Sequence, residues 1–157
     1  ANVVGRVQAV QGKRGVCWFD KKDLKFGYRF SRFQQETDLV ITRVEFTLEQ
    51  APVELTSSKV NELTCLRQSK QPLEAPSAGS VFRRPEGYYV GPLIEAAGLK
   101  GFKIGGAQVS LKHAGFIVNS GGATARDVLS LITHIQKVIK AKNGVDLVPE
   151  IRVVGEE

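Results

Sequence analysis

Residues 124–144 constrain the fold more than any other stretch of this chain. Thr124 with Asp127 three residues on reads as a capping-box start. Val128, Leu131, Ile132, Ile135, Val138 and Ile139 then recur at i, i+3, i+4 and i+7. At 3.6 residues per turn these positions share one helix face, and so broad an apolar stripe must be buried against another layer. Lys137, Lys140 and Lys142 sit where the helix dipole is negative, and Asn143-Gly144 supplies a stop. The spacing predicts one continuous helix over residues 124–142.

Strands supply the layer that such a helix needs. Residues 39–48 (LVITRVEFTL) alternate cleanly, with Val40, Thr42, Val44 and Phe46 on one face and Ile41, Arg43, Glu45 and Thr47 on the other. Residues 3–10 (VVGRVQAV) and 16–19 read as two further strands, paired as a hairpin through the Gly12-Lys13-Arg14-Gly15 turn. A short helical turn is expected over residues 21–26. Pro52 marks a boundary, and residues 55–70 are polar and helix-compatible, with Val60, Leu63 and Leu66 near helical spacing. Pro72 and Pro76 end that segment as an extended linker.

Further strands are expected over residues 80–82, 107–109, 116–119 and 150–154. The pair around residues 107–109 and 116–119 should be antiparallel across the Lys112-His113 turn. Pro92 followed by Leu93–Ala97 and Gly98 reads as a short helix with a glycine stop. The long helix is expected to pack on a sheet that contains residues 150–154. These elements make an α+β protein, not an alternating α/β one.

The stretch over residues 76–121 is where binding is expected. It is glycine-rich, basic and short of carboxylates, and it sets Ser80 in a small-residue turn before an apolar pair. Glycines admit close backbone approach, and lysine and arginine suit an anionic ligand. The whole chain agrees, with a net charge of +6 and pI near 9.5. Without a lysine–arginine block, or aromatics interleaved with basic residues, a phosphorylated or carboxylated small molecule is preferred to nucleic acid.

Cys17 and Cys65 have no metal-ligand spacing and are expected to be buried small side chains in a reducing cytoplasm. No apolar run approaches the ~18 residues that a membrane span needs. The chain lacks methionine. Excision of an initiator before Ala1 and a start inside a larger domain both account for that.

The segments SAGSVFRRP (residues 77–85), GLKGFKIGGAQVSLKHAGFIVN (98–119) and PEIRVVGE (149–156) carry a resemblance. Together they resemble the UDP-N-acetylenolpyruvoylglucosamine reductase family, the flavoenzymes of peptidoglycan precursor synthesis, in the form common in Gram-positive bacteria. The similarity runs from about Leu24 to Glu156. It implies the end of a mixed α+β, PCMH-like FAD-binding domain over residues 1–51 and a helical linker over 52–71. A small substrate-binding domain of antiparallel or mixed sheet packed on two helices follows over 72–157. The glycine-rich N-terminal segment that holds most of the flavin in that family is not among these residues. The resemblance implies FAD and NADPH as cofactors and UDP-N-acetylglucosamine enolpyruvate as substrate, with neither a nucleic-acid nor a membrane partner.

The same resemblance implies site residues. Arg29 in FGYRFSRF matches the family's catalytic arginine, Ser80 in AGSVF the serine that protonates the substrate, and Glu150 in PEIRVVGE the catalytic glutamate. Lys70 in RQSKQP and Lys100 in GLKG match substrate-binding lysines. Arg84 stands where many relatives have asparagine, within the substrate-contacting segment.

The chemistry suits these residue types. Reducing the enolpyruvyl double bond builds negative charge beside a carboxylate, which an arginine fork stabilises. A glutamate beside an anionic substrate is harder to ionise and can donate a hydrogen bond. A positioned hydroxyl can deliver the proton.

As bare residues, Ser80 reads as a turn serine, Arg29 as a surface arginine and Glu150 as a charge at a strand start. Only the order of the motifs raises them. His113 reads as a polar loop histidine without a catalytic role. The glycines at 101–106 lack the lysine-serine of a phosphate loop. Two other readings stand beside the enzyme: a UDP-sugar-binding module that reduces nothing, and a basic nucleic-acid-binding domain.

Overall fold

The computed structural model describes residues 2–12 and 15–155. The chain divides into two compact units, Ala1–Thr56 and Ser57–Glu157.

In the first unit β1 (Val4–Gln11) pairs antiparallel with β2 (Gly15–Asp20) as the expected hairpin, and β3 (Leu39–Phe46) pairs with the other edge of β1. Strand order is therefore β2-β1-β3. The turn residues Lys13 and Arg14 lie outside the described residues. Val7 and Ala9 on the central strand are buried, as is Leu24 from a 3₁₀ turn at Lys21–Leu24. Arg6 ties the sheet together: it pairs with Glu45 at 2.7 Å and lies over the Trp18 ring at 4.5 Å.

The alternation of β3 is present, yet it buries neither face. After Leu39 every residue of the strand is exposed, Val40, Ile41, Val44 and Phe46 included. Periodicity fixes which side chains share a face, but burial needs a second layer, and none covers β3 among the described residues.

The unit boundary falls within α1 (Val53–Lys70), which forms where a helix was expected. None of its residues is buried. Its apolar stripe, three side chains flanked by polar residues, is narrower than the face a packed helix presents. Cys65 is consequently exposed, against the expectation of a buried thiol, and Cys17 is half-buried.

The second unit is an antiparallel sheet in the order β4-β7-β6-β5. Its strands are β4 (Ser77–Ser80), β5 (Lys103–Ile104), β6 (Ala107–Val109) and β7 (Phe116–Asn119), with α2 (Val90–Ala96) between β4 and β5. The predicted β6–β7 pair is antiparallel, with Val109 opposite Ile117. Ser110 shapes its turn: the buried hydroxyl oxygen accepts the N–H groups of Lys112 and His113 at 3.1 and 3.2 Å. The two-residue β5 had no sequence signal, being too short for a period to show.

α3 (Ala125–Asn143) covers this sheet, packing against β5 and β6. Its start is the capping box expected: Thr124 Oγ1 accepts the Asp127 N–H, and Asp127 accepts the Thr124 N–H. Gly144 ends it in the left-handed conformation at φ 70°. Leu131, Ile132, Ile135 and Ile139 are buried, and Val128 and Val138 pack partly against the same core. Burial of each such side chain stabilises by about 1.5–3 kcal/mol.

Two strand expectations are corrected. The strand expected over residues 80–82 ends at Ser80, and Phe82 makes only an isolated bridge to Pro149. Residues 150–154 form no strand, so the sheet beneath α3 does not include them. Antiparallel continuation from the Phe82–Pro149 bridge would place residues 152–154 opposite 79–77. There Gly79 is at φ 86° and the β4–β7 register shifts, so β4 offers no regular edge to pair with. The tail leaves the sheet instead, and Val153 and Val154 are exposed.

Candidate active site

Ser80 closes β4, its main chain opposite Phe116 of β7. The next carbonyl, that of Val81, accepts the main-chain N–H of Glu150 at 2.7 Å, while Val81 donates its own N–H to Gly115 at 3.0 Å. Two residues further, Arg83 donates to the Val148 carbonyl at 2.9 Å. Val81 and Phe82 are buried between these bonds, and Ser80 and Glu150 are exposed on either side. Two residues separated by most of the unit's sequence are thus held at one backbone junction by a two-bond clasp on a rigid core.

Arg84 extends from the same run. Its Nε donates to the Tyr88 carbonyl at 3.2 Å and its guanidinium lies 3.9 Å from the centre of the Tyr89 ring. The intervening turn closes through Tyr88 N–H to the Pro85 carbonyl at 3.3 Å, with Gly87 at φ 76°. A reverse turn of this kind requires positive φ at its third residue, which glycine takes without strain.

The remaining predicted residues are placed as follows. Lys100 lies beyond α2 and pairs with Glu95 at 2.7 Å, so its charge is already partnered. Lys70 is the exposed last residue of α1. Arg29 belongs to the first unit, at the corner of a tight turn in which Gly27 and Phe30 exchange main-chain hydrogen bonds of 3.0 and 3.3 Å. Its φ of 53° is a left-handed conformation that non-glycine residues adopt at a cost of roughly 1–3 kcal/mol. The Gln34 side chain holds it by donating to the Arg29 carbonyl at 3.0 Å. His113 is a packing element: its Nδ1 accepts the Gly115 N–H at 3.0 Å and its ring meets Phe116 edge-on.

Residues that sequence reasoning passed over build the frame. The glycines at 105 and 106 are structural. A Cβ on Gly106 would lie 2.3 Å from the Gly121 carbonyl oxygen and 2.4 Å from the Ala123 nitrogen. Asn119 Oδ1 accepts the N–H groups of Gly121 and Ala123 at 2.9 and 3.1 Å. Asp127 reaches across to the Gly106 N–H at 3.5 Å. Hydrogen bonds from the Thr124 main chain and side chain, with the Gly106 N–H as a smaller contribution, hold the Asp127 carboxyl below the usual carboxylate range. Glu74 is also lowered, by its own main-chain N–H and by Lys112 at 3.4 Å. The Asn119-Ser-Gly-Gly sequence was a visible turn signal; Asp127 was legible as a cap but not as a cross-link.

A groove of about 370 Å³ adjoins the junction, lined by Ser77, Ala78, Val81, Asn119, Thr124 and Ile151 among others. A larger one of about 770 Å³ runs along α3 past Arg126, His134 and Lys137, and neither groove is lined by Ser80 or Glu150. In the first unit, a groove at residues 2–5, Lys21 and residues 47–49 has Lys21 already bonded to the Asn2 carbonyl at 2.8 Å and carries Glu49. That donor set does not fit a dinucleotide diphosphate. No helix of the described residues is long and apolar enough to cross a membrane.

An antiparallel sheet covered by one long capped helix and one short one defines a small α+β domain. The chain belongs to the UDP-N-acetylenolpyruvoylglucosamine reductase family: the family model for the C-terminal domain of that reductase matches residues 71–154. Curated relatives named UDP-N-acetylenolpyruvoylglucosamine reductase include one from Caldanaerobacter subterraneus subsp. tengcongensis. It is 49% identical over 156 residues, which cover 99% of this chain and 51% of that protein. Another, from Lactobacillus delbrueckii subsp. bulgaricus, is 52% identical over 142 residues, covering 90% of this chain and 48% of that protein. The crystal structure of UDP-N-acetylenolpyruvylglucosamine reductase from Thermus caldophilus superposes with a TM-score of 0.75 at 31% identity, over 92% of this chain and 51% of that one. The chain spans about half the length of the curated relatives it matches.

Proposed function

We propose that this chain is the substrate-binding and proton-donating part of an NADPH- and FAD-dependent reductase acting in the cytoplasm. The reaction reduces the enolpyruvyl group of UDP-N-acetylglucosamine enolpyruvate to give UDP-N-acetylmuramate for peptidoglycan synthesis. Residues 1–51 are read as the end of the FAD-binding domain, 52–71 as a linker and 72–157 as the substrate domain. The observation that carries the reading is the clasp between Val81 and Glu150, which sets the two residues expected to act as acids, Ser80 and Glu150, at one edge of a rigid core.

The proposed roles follow from the chemistry. Saturating the double bond adds a hydride to its terminal carbon and a proton to the carbon bearing the carboxylate. Ser80 Oγ–H supplies that proton, and Glu150 in its neutral form donates a hydrogen bond to the developing enolate. Arg29 forks onto the carboxylate, held in its strained turn. Lys70, Lys100 and Arg84 meet the anionic remainder of the substrate, and Lys100 must exchange Glu95 for it. FAD is the hydride donor in this reading, and the redox half of the reaction is not built from the residues described.

A second reading, a module that binds the UDP-sugar without reducing it, is favoured by the poor fit of the first unit's groove to a dinucleotide. Flavin absorbance of the purified protein, together with conversion of the enolpyruvyl sugar under NADPH, separates the two. Bound flavin with turnover supports the reductase. Sugar binding without either supports the module, and no sugar binding removes both.

A further inference from the structure

Besides the clasp at Val81, the segment that carries Glu150 is tied to α3. Gly144 ends the helix, and the chain then runs back along its last turns: Lys140 bonds to Gly144 and Asp146, and Gln136 bonds to Leu147. The two anchors differ in kind. Lys140 and Asp146 pair at 2.5 Å on the exposed surface, where an isolated ion pair contributes little. Gln136 is half-buried, and its Nε2 donates to the Leu147 carbonyl at 2.9 Å. That carbonyl accepts no main-chain N–H among the described residues, and Leu147 is only 3% exposed.

Resting on the reductase reading above, we infer that Gln136 is a positioning residue for Glu150, acting through the Leu147 carbonyl. The clasp begins directly after Leu147. Val148 accepts the Arg83 N–H, Pro149 has no N–H to give, and Glu150 donates to Val81. Those bonds tie residues 148–150 to residues 81–83, and the Gln136 bond ties the preceding residue to the helix. Together they fix the segment from two sides. Without the Gln136 donor, a carbonyl on a buried residue must turn outward to reach water, because an unmade bond there is costly. The residues of the clasp are drawn with it, and so is the carboxyl that must meet the enolate.

Two variants isolate the bond. Gln136→Leu keeps the side chain's bulk and helix preference and removes the donor. Gln136→Glu keeps its outline and puts an acceptor in the donor's place. In NMR spectra of the chain, both should shift the amide protons of Arg83 and Glu150, which report the clasp bonds. In the flavin-loaded enzyme, stopped-flow should show reduction of the enolpyruvyl sugar slowed roughly 10- to 100-fold. The half-saturating sugar concentration and flavin reduction by NADPH should not change. Ile135→Val lowers stability without removing either anchor, and should leave both amides and both rates as in the parent. Clasp amides that stay in place, or amides that move while sugar reduction keeps the parent's rate, would overturn the inference. So would equal losses in Ile135→Val, which would make the effect one of stability. A parent that binds flavin yet reduces no enolpyruvyl sugar overturns the reductase reading, and this inference with it.

Discussion

The main-chain N–H of Glu150 donates to the carbonyl of Val81 across 2.7 Å, so the last segment of the chain is fastened one residue from Ser80. Because Val81 and Phe82 beneath the clasp are each only 2% exposed, the junction cannot shift without opening the core. Local placement on packed elements is what a proton donor requires, since misplacement by an ångström is costly to catalysis.

If Ser80 delivers the proton, Ser80→Ala in the flavin-loaded enzyme should leave flavin reduction by NADPH unchanged. Reduction of the enolpyruvyl sugar should slow roughly 10²- to 10⁴-fold. Ser80 is exposed at the end of β4, so the unfolding midpoint should hardly move. Stopped-flow measurement of the two half-reactions separately decides the matter, and equal slowing of both would place the damage at the flavin instead.

Ile135, on the buried face of α3, is 1% exposed. Ile135→Val should cost about 0.5–1.5 kcal/mol. Ile135→Asp adds an unpaired buried charge to the cavity and should unfold the second unit. Urea titration followed by circular dichroism gives both values, and an aspartate variant as stable as the parent would contradict the packing described here.

Gly106→Ala puts a methyl group against main-chain atoms of Gly121 and Ala123, which have no flexible end to swing away. The expected loss is about 1–3 kcal/mol, as for overpacking in a core. A shift in the denaturation midpoint measures it.

Asp127 gives a pH signature. Its native pKa is lowered, so its contribution is fully present above the ordinary aspartate value of about 3.9 and is lost as pH falls through the lowered native one. Asp127→Asn should flatten the acid limb of the stability curve and leave its shape near neutrality alone. Thermal midpoints taken from about pH 5 down to about pH 2 will show whether the limb flattens.

Much of the second unit was legible in the residues themselves, for a local reason. The stripe from Val128 to Ile139, the Thr124–Asp127 cap and the Gly144 stop each act within a few residues, so the order of side chains was enough to specify α3. The same holds for the antiparallel strands on either side of the Lys112–His113 turn and for the hairpin of β1 and β2. What failed depended on partners distant in sequence. Residues 150–154 have the composition of a strand, but Gly79 and the register shift in β4 removed the edge they needed. The alternation in β3 set its two faces without deciding that either would be covered.

The candidate site divides along the same line. The family resemblance carried by the chain's order of motifs named Ser80, Glu150, Arg84, Lys100, Lys70 and Arg29 as candidates; as single residues none of them stood out. Only the tertiary structure decided that Glu150 is fastened beside Ser80, that Lys100 is already paired with Glu95, and that Arg84 is held by Tyr89. Hydrogen bonds and stacking between residues far apart in sequence, or turned toward each other by one loop, depend on where a fold brings the backbone, and no local pattern of residues encodes that.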